Sequence, residues 1–261
     1  MTLKTLDNAL NLLRLFTNEK NEWGVRELAK ELGINHTIVY RILTTFEKHG
    51  ILMQNLETNK YQLGLRLLEY GMIIQESFSI SDIIKPLMKK LAEETQETIF
   101  LTWLDGFEGV CLEIAESSQK VKLTTSIGSR TPLYGGAWGK AIMAFLPDEM
   151  LEAILKQGIE PLTPKTITSP EKLLENLREI KKNGWCYSVG EYSENVAGIA
   201  MPLFNIKNQV VASLTVAGPD YRIGPERVEF IVSRLTKCRN EIQTYLKNLR
   251  IVYNYNSPNK S

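Results

Sequence analysis

Residues 35–48 bring together Asn35, His36, Thr37, Tyr40, Arg41, Thr44 and Lys48 at helical spacing. With 3.6 residues per turn, most of these side chains fall on one polar stripe. Guanidinium, phenol, hydroxyl and ammonium groups in such a stripe hydrogen-bond to base edges and phosphates, and Arg41 could fork onto a guanine in the major groove. Val39, Ile42, Leu43 and Phe46 occupy the opposite, apolar face. A solvated face on an ordinary helical hairpin would look the same over this stretch alone.

A second set of candidate residues lies in the C-terminal half. Tyr134-Gly135-Gly136-Ala137 leads into a helix, where unpaired N–H groups and the positive end of the helix dipole suit a carboxylate. The bland reading is that Gly135 and Gly136 only shape the turn and that Trp138 is core. The run from Gly135 to Lys140 is not a phosphate-binding loop, because that motif needs a glycine five residues earlier and a Ser or Thr after the lysine. Tyr134 and Ala141 stand in the neighbouring places, and Lys140 is expected in a surface ion pair or bonded to a nearby carbonyl.

These groups need a scaffold. Val25, Leu28, Ala29 and Leu32 share a face of a first helix, Gly33 can close it, and Asn35 can cap the next. Gly50 stops the second helix. The extended run 51–53, a turn at Glu57-Thr58-Asn59 and the return Lys60-Tyr61-Gln62-Leu63 then read as a wing, with Lys60 at its tip in reach of phosphate. Leu6, Ala9, Leu10, Leu13 and Phe16 mark an amphipathic helix that covers the pair. Arg26 on the first helix joins the candidate DNA contacts. An apolar helix over 65–78 is expected as a connector, packed against a partner subunit or its own domain.

From Ser81 the pattern alternates. Helices are expected from Ser81 to Thr95 and at 138–145, 147–156, 170–183 and 225–249. Strands are expected at 98–104, 110–115, 121–126, 197–204 and 210–217. Short turns between consecutive strands imply an antiparallel sheet flanked by helices, an α+β module. The expected organisation is a winged helix-turn-helix domain over 1–64, a linker helix over 65–79, a ligand-binding domain over 80–250 and a disordered tail over 251–261.

The 261 residues suit two domains, and the net charge of +1 gives no electropositive coat. Up to Tyr70 nine basic residues face eight acidic ones. DNA binding would therefore rest on a local patch and on more than one copy of the chain. With no signal peptide before Leu3 and no apolar stretch near the roughly 20 residues that span a bilayer, a cytoplasmic protein is expected. Cys111, Cys186 and Cys238 are far apart and suggest reduced core thiols. His36 and His49 both lie in the helix-turn-helix segment, leaving no histidine elsewhere for a base or metal ligand. Neither an enzyme, a cofactor nor a metal site is expected.

From Leu6 to about Leu246 the chain resembles the IclR family of bacterial transcriptional regulators. The stretches that carry the resemblance are Leu6-Asp7-Asn8-Ala9-Leu10, Val39-Tyr40-Arg41-Ile42-Leu43, Lys60-Tyr61-Gln62-Leu63-Gly64, Thr131 to Ala141, Gly190-Glu191, Gly198-Ile199-Ala200-Met201-Pro202 and Ser213 to Pro219. The resemblance implies a dimer or dimer-based tetramer, a GAF-like effector domain and ligand-dependent control of transcription. It implies effector contacts at Ala137 and Trp138, then Ser188 and Gly198, with Glu191 close by. Together with Tyr134 and Gly136 these form the candidate pocket, for which a small organic or sugar acid is the expected ligand. Two departures stand out: Ile38 where the family often places threonine, and Trp138 in a loop that usually carries small residues.

The implied function is a repressor of a catabolic operon, released by such an acid. An activator of the same family is an alternative, as is a metabolic enzyme with a winged-helix docking module.

Overall fold

The computed structural model describes residues 3–17, 19–77 and 80–248. The expected tail, Leu249 and the last two residues of the expected linker lie outside them. The chain divides into two compact units near residue 78.

The first unit contains α1 (Lys4–Leu13), α2 (Val25–Leu32), α3 (His36–Lys48), β1 (Leu52–Gln54), β2 (Tyr61–Leu63) and α4 (Leu65–Ser77). Its core joins Leu12, Phe16, Leu28, Val39, Ile42 and Leu43 to Leu52 and Tyr61 of the wing. Gly33 ends α2 at φ 64°, and the Asn35 side chain accepts the Thr37 N–H at 2.8 Å to start α3. The two wing strands pair antiparallel, Leu52 opposite Leu63. Trp23 adds a bridge to Tyr61 and donates its indole N–H to Leu15 O at 2.9 Å, tying the wing to the end of α1.

The second unit opens with a π-helical turn (Ile80–Ile84) and α5 (Lys85–Thr95). Ser81 therefore falls inside that turn; the α-helix starts four residues later, at Lys85, with Pro86 in its first turn where no N–H is needed. There follow β3 (Thr98–Asp105), β4 (Glu108–Ala115), β5 (Arg130–Pro132), α6 (Gly136–Met143), α7 (Asp148–Lys156), α8 (Pro170–Asn183), β6 (Cys186–Val189), β7 (Val196–Phe204), β8 (Val210–Pro219) and α9 (Pro225–Asn248). The strands form one sheet in the order β5-β4-β3-β8-β7-β6, antiparallel at every pairing. The segment 121–126 is not a strand. Its alternating pattern serves another end, since Leu123 and Thr125 cover recesses on the sheet.

Side chains alternate across the sheet. Ala200 packs with Ala137 and Ala141 of α6. Its neighbour Met201 accepts from Thr236 of α9 on the other side, at 3.6 Å. The unit is thus layered, with α6 on one face and α9 on the other. The three thiols are free and buried, and burial pushes each up to about 12.

Candidate functional site

In the first unit α3 presents an exposed edge. His36, Thr37, Tyr40, Arg41 and Lys48 are all exposed, as is Arg26 on α2, while Val39, Ile42 and Leu43 anchor the helix from below. The bulky departure Ile38 is exposed too.

Three expected contacts are modified by local bonding. Asn35 spends its side-chain oxygen on the cap. Thr44 is half-buried, and its hydroxyl donates back to the carbonyls of Tyr40 and Arg41 at 3.0 and 3.2 Å. Lys60 is not at the wing tip: the turn is built on Asn55, whose side chain accepts the N–H groups of Glu57 and Thr58. Lys60 instead closes that turn, its carbonyl accepting the Asn55 N–H at 2.8 Å, and its ammonium lies 3.6 Å from Glu27 of α2. That glutamate also accepts the Gly24 N–H at 2.9 Å. This bond, aided by Lys60, holds its carboxyl below the usual range.

In the second unit the floor of the candidate pocket is woven from three strands. Ser188 of β6 faces Gly198 of β7; Gly198 faces Ala217 of β8, and Ala200 faces Thr215. Over this floor α6 begins without a side-chain cap at Gly135, so its first N–H groups remain open for a ligand. Gly136 makes the entry at φ 78°, a left-handed conformation that favours glycine. Gly139 lets the helix seat tightly, since a Cβ there would stand 2.2 Å from Leu133 O.

The recess between helix and floor encloses about 300 Å³, counting the space open to solvent. Gly136, Ala137, Trp138, Ser188, Glu191 and Gly198 all line it. Tyr134, the remaining expected contact, does not; it packs against the core under α6. Tyr192, Thr215 and Leu123 line the recess without having been expected there. The Tyr192 ring meets Trp138 edge to face at 4.5 Å between centroids, and burial raises its phenol.

Two residues that line the recess, Trp138 and Thr215, each carry a buried polar atom with no hydrogen-bond partner, Nε1 and Oγ1. Buried polar atoms are nearly always paired, so these two stand out. The Glu191 charge is balanced from behind. Lys140, 1% exposed, donates to Glu191 Oε1 at 2.7 Å and to Asn176 Oδ1 at 2.9 Å. Glu191 Oε2 lies equally near Lys140, but without the direction of a hydrogen bond. The lysine is therefore a buried strut and not part of a surface ion pair.

Among the described residues no group of side chains could hold a metal ion, and no helix is long and apolar enough to cross a membrane. The IclR helix-turn-helix domain model matches residues 5–56, and the bacterial transcriptional regulator IclR C-terminal model matches residues 74–244. The HTH-type transcriptional regulator KipR of Bacillus subtilis is 35% identical over 240 residues, 92% of this chain and 95% of its own. KdgR of Escherichia coli is 30% identical over 250 residues, 93% of this chain and 95% of its own. An IclR transcriptional regulator from Silicibacter has a crystal structure that superposes with a TM-score of 0.86 at 26% identity, covering 93% of this chain and 96% of that one. These relatives are regulators of transcription and not enzymes, and the docking-module alternative falls with them. The two family models match in the order in which the winged helix and the sheet domain occur, and this chain belongs to the IclR family of bacterial transcriptional regulators.

Proposed function

We propose that the chain is a cytoplasmic dimeric repressor whose hold on its operator is released by a small hydroxylated organic acid. The observation that carries the ligand reading is the pair of unpartnered polar atoms, Trp138 Nε1 and Thr215 Oγ1, on residues that line the recess beside the start of α6. A carboxylate would take the open N–H groups of the helix. A ligand hydroxyl would donate to Glu191 Oε2 and accept from Trp138 Nε1 or Thr215. Because Lys140 already neutralises Glu191, the recess can receive an anion without facing an uncompensated negative charge.

The relatives lend support. One from Salmonella typhimurium is an acetate operon repressor, and a homologue from Microbacterium hydrocarbonoxydans was crystallised with 4-hydroxybenzoate, an organic acid. Assembly is supported by apolar side chains that the single chain leaves in water: Leu6 and Leu10 on α1, and Leu68, Met72 and Ile73 on α4. In this reading residues 1–64 bind DNA, α4 joins subunits as the connector, and the sheet domain senses the ligand. Two recognition helices about 34 Å apart would read a roughly palindromic site. The acid alters DNA affinity only by binding the two states of the dimer unequally.

Gly198→Val tests the pocket. A Cβ at Gly198 meets Ala137 and Ala217 at ordinary distances of 3.5 and 3.6 Å, the methyl groups beyond it would take up space in the recess that Gly198 lines, and a thermal melt checks that the floor accepts them. The variant is expected to bind operator DNA as the parent does and to need at least about tenfold more acid for release. Release at the parent's acid concentration would count against this pocket.

A further inference from the structure

Behind Trp138 lies a second recess of about 230 Å³, lined by Phe100, Thr102, Cys111, Thr125, Ser129 and Thr131. Trp138 is the one residue that lines both this space and the recess at the start of α6. Its indole N–H lies toward the front, where a Cβ built on Gly136 would stand 3.9 Å from Nε1. The ring also meets Phe100 edge to face at 5.9 Å and packs with Cys111 and Ala217. It therefore spans the floor from β8 to β3 and β4. The rear space is rich in hydroxyls, of which Thr125 and Ser129 bond each other at 3.0 Å.

Resting on the acid-receptor reading above, we propose that Trp138 divides one larger ligand chamber and sets the length of acid that this regulator accepts. Short hydroxy acids fill the front space, with the indole N–H as one of their donors. Longer polyhydroxy or phenolic acids would need the rear space, whose hydroxyls suit them but which the indole closes off. Removing the ring would join the two spaces that it now separates.

The test uses the full-length protein and isothermal titration with four acids: lactate, glycerate, gluconate and 4-hydroxybenzoate. Wild type is expected to favour lactate or glycerate. Trp138→Ala is expected to gain at least about tenfold for gluconate or 4-hydroxybenzoate and to lose affinity for the short acids, while Trp138→Phe keeps the wild-type order with weaker binding. Loss of a large buried ring can unfold a domain, so Trp138→Leu, which also opens the partition, stands in if the alanine variant does not fold. An unchanged order of preference in Trp138→Ala or Trp138→Leu would overturn the proposal. Wild-type protein that takes long and short acids equally well would overturn it too. Failure of all four acids on every form would instead overturn the acid-receptor reading and this inference with it.

Discussion

Replacing Arg41 with alanine is expected to abolish specific operator binding while the fold stands. Arg41 lies on the exposed edge of α3, and no acidic side chain is found holding its guanidinium among the described residues. The helix is held by Val39, Ile42 and Leu43 on the other face, so the truncation leaves the core alone. A bidentate contact to guanine discriminates by about 1–3 kcal/mol. In the proposed dimer the contact would be made at two half-sites, so the expected combined loss is on the order of thirtyfold to ten-thousandfold. Fluorescence anisotropy at one fixed salt concentration reads that loss, and a thermal melt within about 2 °C of the parent shows that folding is intact. Full-strength binding by the variant would remove α3 from the interface. Lys60 offers a contrast: it stands 3.6 Å from Glu27 in an exposed pair, and its replacement is expected to weaken binding less than that of Lys48.

The largest effect on stability is expected at Lys140. Its ammonium is sealed under α6 between Glu191 and Asn176, and Lys140→Met leaves the glutamate charge without its counterpart. Breaking a buried pair from one side costs about 3–5 kcal/mol. Glu191 keeps some access to water through the recess, at 12% side-chain exposure, which places the cost toward the lower end. At roughly 2–4 °C per kcal/mol for a domain of this size, the melting temperature should fall by roughly 6–15 °C. Lys140→Met combined with Glu191→Leu should recover much of the loss, because the cost comes from the stranded charge. A single variant as stable as the parent would show that the pair contributes nothing to the fold.

Much of this architecture was legible from periodicity. The 3.6-residue spacing of Val39, Ile42, Leu43 and Phe46 was enough to orient α3, and Gly33 and Asn35 marked the turn before it. The strands around Trp103 and Leu214 showed as long apolar runs. What escaped was short or non-local. Strands β5 and β6 have three and four residues, too few for a pattern to emerge, whereas residues 121–126 alternate like a strand and pair with none. Lys140 read as a surface lysine because its partners, Asn176 and Glu191, lie 36 and 51 residues away. Its own helix was the available signal: α6 is apolar all round and buried throughout, leaving a charge there no route to water.

The same holds for the pocket. Gly135 and Gly136 marked the start of α6, but Tyr192 and Thr215 come to the recess only through the fold. Thr215 did leave a trace in the sequence, as one of two polar residues, with Ser213, in the mostly apolar run of β8. Tyr134 misled, because adjacency to the glycine turn does not specify on which side of α6 a ring will pack.

The central claim, a DNA-binding regulator answering to an acid, is tested most directly by a mobility-shift titration. Purified full-length protein is incubated with the DNA upstream of its own gene, and small hydroxylated acids are added in turn. A specific shift that one of the acids releases is the result expected here. A shift that no acid alters would contradict the acid-receptor half of the account, and protein that shifts neither this DNA nor any selected from a random pool would contradict the whole.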